Sequence, residues 1–123
     1  MSYVVHEKQE TIKFLKEYYP LIRDGVKRQT MRLASKRLDV NEGDIVTAIF
    51  PGLDETITIR ITKIGYRQFK HIKLEDAKHE GYDSISGLKN DLLKIYPDIN
   101  KWDRLYYYQF EYLHFQIVDM VEF

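Results

Sequence analysis

Residues 56–62 read Thr56-Ile57-Thr58-Ile59-Arg60-Ile61-Thr62, and their strict alternation decides what kind of fold this chain adopts. An isoleucine at every second position, with Thr and Arg between, gives an extended chain one apolar and one polar face. The β-branched residues suit a pleated, half-buried surface. Upstream, Ile45-Val46-Thr47-Ala48-Ile49-Phe50 reads as a second, buried strand, entered through the turn Asn41-Glu42-Gly43-Asp44 and halted by Pro51-Gly52. Downstream, a short helix spans Leu74 to Glu80 and ends at Gly81. Asp83 or Ser84 then caps a stronger helix in which Ile85, Leu88, Leu92 and Ile95 follow three-four-three spacing, and Pro97 closes it. From Arg104 the chain is nearly all β-forming, first to Tyr112 and again from Phe115 to Phe123.

The N-terminal stretch reads differently. Ile12, Leu15, Tyr19 and Ile22 recur at helical spacing with Phe14 and Tyr18 beside them, which predicts a helix kinked at Pro20 and stopped at Gly25. Helix, strands, two helices, strands is an α+β order, and a small, mostly antiparallel β-barrel with helices over its openings fits it. Neither a repeat nor a Gly/Ser/Pro-rich linker interrupts residues 1–123, so a single domain is expected.

Composition narrows the chemistry. Lys+Arg and Asp+Glu both number 19, so no global basic field exists to grip duplex nucleic acid. There is no cysteine, which removes disulfides, thiol nucleophiles and zinc-thiolate sites. His6, His71, His79 and His114 show no ligand spacing, and no Gly-rich phosphate loop is present, so neither metal nor cofactor is expected. No apolar run reaches the ~20 residues of a membrane helix, and a cytoplasmic address is the default without an export signal.

Charge is unevenly placed. Gly25 to Leu38 holds five cations, Lys27, Arg28, Arg32, Lys36 and Arg37, and no acid. Such a loop offers a site for phosphate or an electron-rich polar ligand, or is simply a solvated charged loop. Within it Lys27, Thr30 and Arg32 form K-x-x-T-x-R. If a strand begins near Thr30, Thr30 and Arg32 share a face, and Lys27 in the preceding turn folds back toward the hydroxyl. Thr acts as a nucleophile only when a base takes its proton, and Lys is that base only when neutral; neighbouring cations and burial both favour the neutral amine. Otherwise Thr30 is an ordinary β-former opening a strand.

The ordered set Asp24-Gly25 with Lys27, Thr30 and Arg32, then Glu42-Gly43-Asp44, then Ala77, Glu80 and Gly81, then Leu88, Leu92 and Tyr96-Pro97 resembles the ASCH domain, a PUA-like small β-barrel. The likeness runs from about Leu21 to Tyr112, with residues 114–123 as a C-terminal β extension. It implies the chemistry of small bacterial ASCH enzymes that hydrolyse N4-acetylcytidine to cytidine and acetate. By that resemblance Thr30 is the nucleophile, Lys27 its base and Glu80 the proton donor. Arg32, by position, holds the base carbonyl or the oxyanion.

Arg28, Lys36 and Arg37 extend the cationic loop beyond that core and fit a larger, phosphate-bearing ligand such as an RNA strand. The chain has ten tyrosines, six phenylalanines and one tryptophan. The Tyr106-Tyr107-Tyr108 run is read as core packing. Trp102, in a loop where the core does not need it, is the better base-stacking candidate. Two function classes follow. One is an amidohydrolase acting on a modified nucleoside; the other is an RNA-binding or RNA-processing module gripping phosphates with residues 27–37.

Overall fold

A computed structural model describes residues 10–114. Five strands form one mixed sheet: β1 (Thr11–Lys13), β2 (Gln29–Leu33), β3 (Ile45–Ile49), β4 (Thr56–Gln68) and β5 (Arg104–Tyr112), in the order β1-β3-β4-β5-β2. All neighbours are antiparallel except β1 and β3, which run parallel. Three helices accompany them: α1 (Tyr19–Arg23), α2 (Leu74–Glu80) and α3 (Ile85–Ile95). Among the described residues no helix is long and apolar enough to cross a membrane.

The α+β class stands, but the expected barrel is an open, curled sheet among these residues. β1 and β2 are its two edges, joined by a side chain instead of a ladder: Arg32 Nη2 donates to the Lys13 carbonyl at 3.0 Å. Curvature has a local cause in β4. Ile61 pairs with Phe110 and Lys63 with Gln109, so Thr62 is the extra residue of a β-bulge, which bends and twists the strand. The bulge also flips the phase. Ile57, Ile59 and Ile61 face the core before it, and Ile64 packs against the same core after it. That is why the alternation stops at Thr62 although the strand continues to Gln68.

Each sheet face has its own core. One side encloses Ile12, Phe14, Val46, Phe50, Ile59 and Tyr108 among others. The other carries Met31, Leu105 and Tyr107 against Ala77, Leu88 and Leu92 of α2 and α3. Gly65 lies opposite Tyr107 in the register, and a Cβ there would run into the tyrosine ring, so only glycine fits.

The central and C-terminal elements match their sequence patterns, including Gly81 in the left-handed conformation (φ 95°) at the end of α2. Ser84 caps α3, its hydroxyl accepting from the Gly87 amide at 3.0 Å. The N-terminal helix is a correction. Ile12 belongs to β1, paired with Ala48, and Leu15 is exposed, so the helical spacing traced no real face. Thr11 to Phe14 instead alternates exposed and buried. Helix begins with a short 3-10 turn, Lys16–Tyr18, and Pro20 falls in the first turn of α1, where a missing donor costs nothing. The strand expected from Phe115 to Phe123 lies outside the described residues.

Candidate active site

Segment 25–28 places the first functional side chain. Gly25 takes a left-handed turn (φ 75°) after α1, and the Val26 and Lys27 amides both donate to the Leu21 carbonyl, at 2.8 and 3.0 Å. The Arg28 amide then donates to the His79 carbonyl at 2.6 Å, while its own carbonyl accepts from the Phe110 amide at 3.0 Å. The backbone leading into β2 is thus tied to the last turn of α2 and to β5. This tie brings Lys27 against Glu80, the final residue of α2. Lys27 Nζ donates to Glu80 Oε1 at 2.8 Å with both residues buried, 3% and 5% exposed.

Thr30 and Arg32 follow on β2 and do share a face. Arg32 Nε donates to Thr30 Oγ1 at 3.3 Å, and the guanidinium lies over the Phe14 ring, 5.6 Å from its centre. Lys27 turns toward Glu80 and the Tyr18 ring, its Nζ 4.7 Å from the ring centre, and not back to the Thr30 hydroxyl. Lys27, Thr30, Arg32 and Glu80 all line one cleft of about 500 Å³, in the seam between the two sheet edges beneath α3. The opening that keeps the sheet from closing is therefore also the mouth of this cleft.

Burial dominates the electrostatics. Loss of solvent pushes the Glu80 carboxyl up from its ordinary range, and the nearby Lys27 ammonium and Gln29 side chain pull it back. Glu80 Oε2 is buried with no hydrogen-bond partner among the described residues. Burial also lowers the Arg32 guanidinium, which at any working pH remains charged.

Sequence reasoning missed two cleft residues. Tyr18 donates its phenol to Asp91 Oδ2 at 2.7 Å, and both line the cleft. Tyr18 was concealed in a false helical stripe. Asp91 borders the true apolar stripe of α3, between Leu88 and Leu92, and a carboxylate at that edge is the signal that would have found it.

Four other predicted ligand residues lie apart from this cleft. Arg28 is exposed, Lys36 is exposed in a 3-10 turn after β2, and Arg37 sits over the Tyr106 ring at 4.9 Å. Trp102 is 57% exposed, with Lys70 Nζ 3.5 Å and Lys101 Nζ 5.3 Å from its ring centre. Among the described residues no three His, Asp or Glu side chains converge as a metal site.

No protein-family model matches the chain, and no curated protein matches its sequence. Solved structures do match. The ASCH domain of Lactobacillus crispatus superposes with a TM-score of 0.72 at 16% identity, over 83% of this chain and 77% of that one. The fold is the ASCH fold. An ASCH protein of Zymomonas mobilis gives a TM-score of 0.57 at 10% identity, covering 82% of this chain and 67% of that one. An Enterococcus faecalis protein of a family without assigned function gives 0.61 at 17% identity, over 76% of this chain and 64% of that one. In this ASCH fold the seam between the sheet edges holds the buried lysine, the hydroxyl and the acid together.

Proposed function

We propose that the cleft is an amidohydrolase site that removes the acetyl group from N4-acetylcytidine-type nucleosides. Thr30 is the nucleophile, Lys27 its base and Glu80 the proton donor to the leaving amine. The observation that carries this reading is the buried Lys27–Glu80 pair beside the Thr30 hydroxyl in one cleft. Out of water, a charged pair is disfavoured relative to its neutral form. Passing one proton across this hydrogen bond, whose Nζ and Oε1 lie 2.8 Å apart, yields a neutral amine and a carboxylic acid, the base and acid the reaction requires.

Each step then has an owner. Thr30 Oγ1 attacks the acetyl carbon as Lys27 takes the hydroxyl proton, and the oxyanion develops against the cationic Arg32. The C–N bond breaks as Glu80 passes its proton to N4, releasing cytidine and leaving an acetyl ester on Thr30. Water then attacks the ester as the Glu80 carboxylate takes one of its protons, Lys27 returns its proton to Thr30 Oγ1 as the C–O bond breaks, and acetic acid departs to ionise to acetate in solvent. Catalytic hydrogen bonds often tighten only when substrate arrives, so the contact between Lys27 and Thr30 is assigned to that complex.

Incubation with N4-acetylcytidine, followed by chromatography for cytidine and acetate, tests the proposal. Parent protein releases a burst of cytidine before steady state, and Thr30→Ala releases none. Parent-like turnover by Thr30→Ala would refute the nucleophile.

A second reading, single-stranded RNA binding, is favoured by one group of rings. Trp102 between Lys70 and Lys101 continues along β4 and β5 into Arg104 over Tyr66 (4.4 Å), Tyr66 against Tyr106 (6.2 Å) and Arg37 over Tyr106. Trp102 and Tyr66 are exposed and Tyr106 is half-buried, and exposed rings among cations suit base stacking. Salt separates the two: RNA affinity falls steeply with ionic strength, and turnover of a neutral nucleoside does not.

A further inference from the structure

The reaction accounts for one wall of the cleft and leaves the α3 wall without a role. That wall carries an acid. Asp91 lines the cleft, half-buried, and its Oδ2 accepts from the Tyr18 phenol at 2.7 Å. Burial and Asp91 together push the Tyr18 hydroxyl up, and the Tyr82 hydroxyl rises for the same reasons. Both phenols therefore stay neutral, and the Tyr18 hydroxyl is a donor to Asp91. A carboxylate has about four acceptor sites, so phenols do not exhaust it. What else it takes must be a donor, and must not be an anion.

Spacing selects the donor. The Tyr18 ring stands between the two groups: the Lys27 ammonium lies over its face, 4.7 Å from the ring centre, and its hydroxyl reaches Asp91, so catalytic amine and carboxylate are set apart by one six-membered ring. In a cytidine one six-membered ring likewise separates the exocyclic amine from the glycosidic bond, with the ribose hydroxyls just beyond. A cleft of about 500 Å³ accommodates a nucleoside. A carboxylate accepting ribose hydroxyls is also the physical basis on which dinucleotide sites read that sugar and refuse its phosphate.

We propose that Asp91 is the sugar-recognition residue of this cleft: its carboxylate accepts the 2′- and 3′-hydroxyls of a free ribonucleoside and excludes 3′-phosphorylated forms. This rests on the amidohydrolase reading of the same site. Losing one hydrogen bond to a charged group weakens binding about 10- to 100-fold, so 2′-deoxycytidine binds weaker than cytidine by that factor. Cytidine 3′-monophosphate, which meets the carboxylate with like charge, binds weaker still.

Calorimetric titration of the intact protein with these three compounds tests it, alongside kcat/KM for N4-acetylcytidine and its 2′-deoxy analogue. Asp91→Ala brings the ribo-to-deoxy ratio toward one. Asp91→Asn, which keeps an acceptor for Tyr18, relieves the exclusion of the 3′-phosphate. Tyr18→Phe removes the phenol but leaves the carboxylate, so it preserves the ratio, and this separates sugar recognition from mere anchoring of Tyr18. A ratio near one in the parent, or one unchanged in Asp91→Ala, overturns the assignment while leaving amide hydrolysis intact. Equal binding of the 3′-phosphate by the parent overturns it in favour of an RNA ligand. Failure of the parent both to bind cytidine and to turn over N4-acetylcytidine removes the assignment and the reaction together.

Discussion

Asp76 and Glu80 lie one helical turn apart on α2, and both are buried against the chain entering β2, yet they are treated in opposite ways. Asp76 is fully partnered. Its Oδ1 accepts from Gln29 Nε2 at 3.3 Å, and its Oδ2 accepts from Arg67 Nε at 2.5 Å and the Lys73 amide at 3.0 Å. Gln29 is held in turn by Gln109 Nε2 at 3.2 Å. Among the described residues Glu80 has the Lys27 donor on Oε1 and no hydrogen-bond partner on Oε2. A saturated buried network fixes a structure; an incomplete one leaves an acceptor oxygen without a donor in the wall of a cleft. The comparison teaches that Asp76 holds α2 to the sheet so that Glu80 can remain underused.

The contrast breaks most visibly in turnover. Lys27→Met is expected to lower hydrolysis of N4-acetylcytidine at least about 10³-fold, measured as initial rate, whereas an Asp76 variant that remains folded keeps its chemistry. Stability reverses the ranking. Asp76→Ala strands Arg67 and Gln29 and is expected to destabilise by about 3–5 kcal/mol in urea unfolding. Replacing both members of the other pair, Lys27→Met with Glu80→Leu, is expected to fall within about 1 kcal/mol of the parent or above it, because no unpaired charge remains.

A pH experiment sharpens the same point. In Lys27→Met the ammonium that pulls Glu80 down is gone and burial outweighs the remaining pull of Gln29, so the folded carboxyl holds a proton that the unfolded chain releases at about pH 4.3. The folded value is raised, so this contribution is fully present below the unfolded pKa and is lost as pH rises toward the folded one. The urea midpoint of the variant should therefore be higher at about pH 4.5 than at about pH 8. A flat profile would mean that Glu80 finds another cation. The smallest effect belongs to the rim of the saturated network, where Gln109→Ala should lose only about 0.5–1.5 kcal/mol.

Much of this molecule was readable along the chain. The Thr56 to Thr62 alternation, the Leu74 to Gly81 helix and the Ser84-capped helix each depend on neighbours a few residues apart, and local patterns report local structure well. Two readings failed where patterns overlapped. Ile12 and Phe14 satisfied a helical period and a strand period at once, and only pairing with Ala48 and Ile49 decided between them. β4 outran its alternation because the bulge at Thr62 exchanged its faces.

The site was legible in part. Thr30 and Arg32 are two apart on one strand, so their shared face followed from the pleat. Arg28, Lys36 and Arg37 share the same charged segment but leave the cleft: Arg28 precedes β2, its backbone tied to His79 and Phe110, and a 3-10 turn carries Lys36 and Arg37 away. Tyr18 and Asp91 meet across 73 residues, and no local signal joins them.

By itself the sequence determined the strand and helix alphabet, the absence of thiol chemistry, and a short cationic segment bearing one hydroxyl between a lysine and an arginine. Tertiary structure alone decided that the sheet stops short of closing, that Lys27 spends its ammonium on Glu80, and that Asp91 faces them from α3. The reason is physical. Periodicity is enforced by backbone geometry over a few residues, whereas convergence at a cleft depends on how distant elements pack, and packing is settled by the whole core at once.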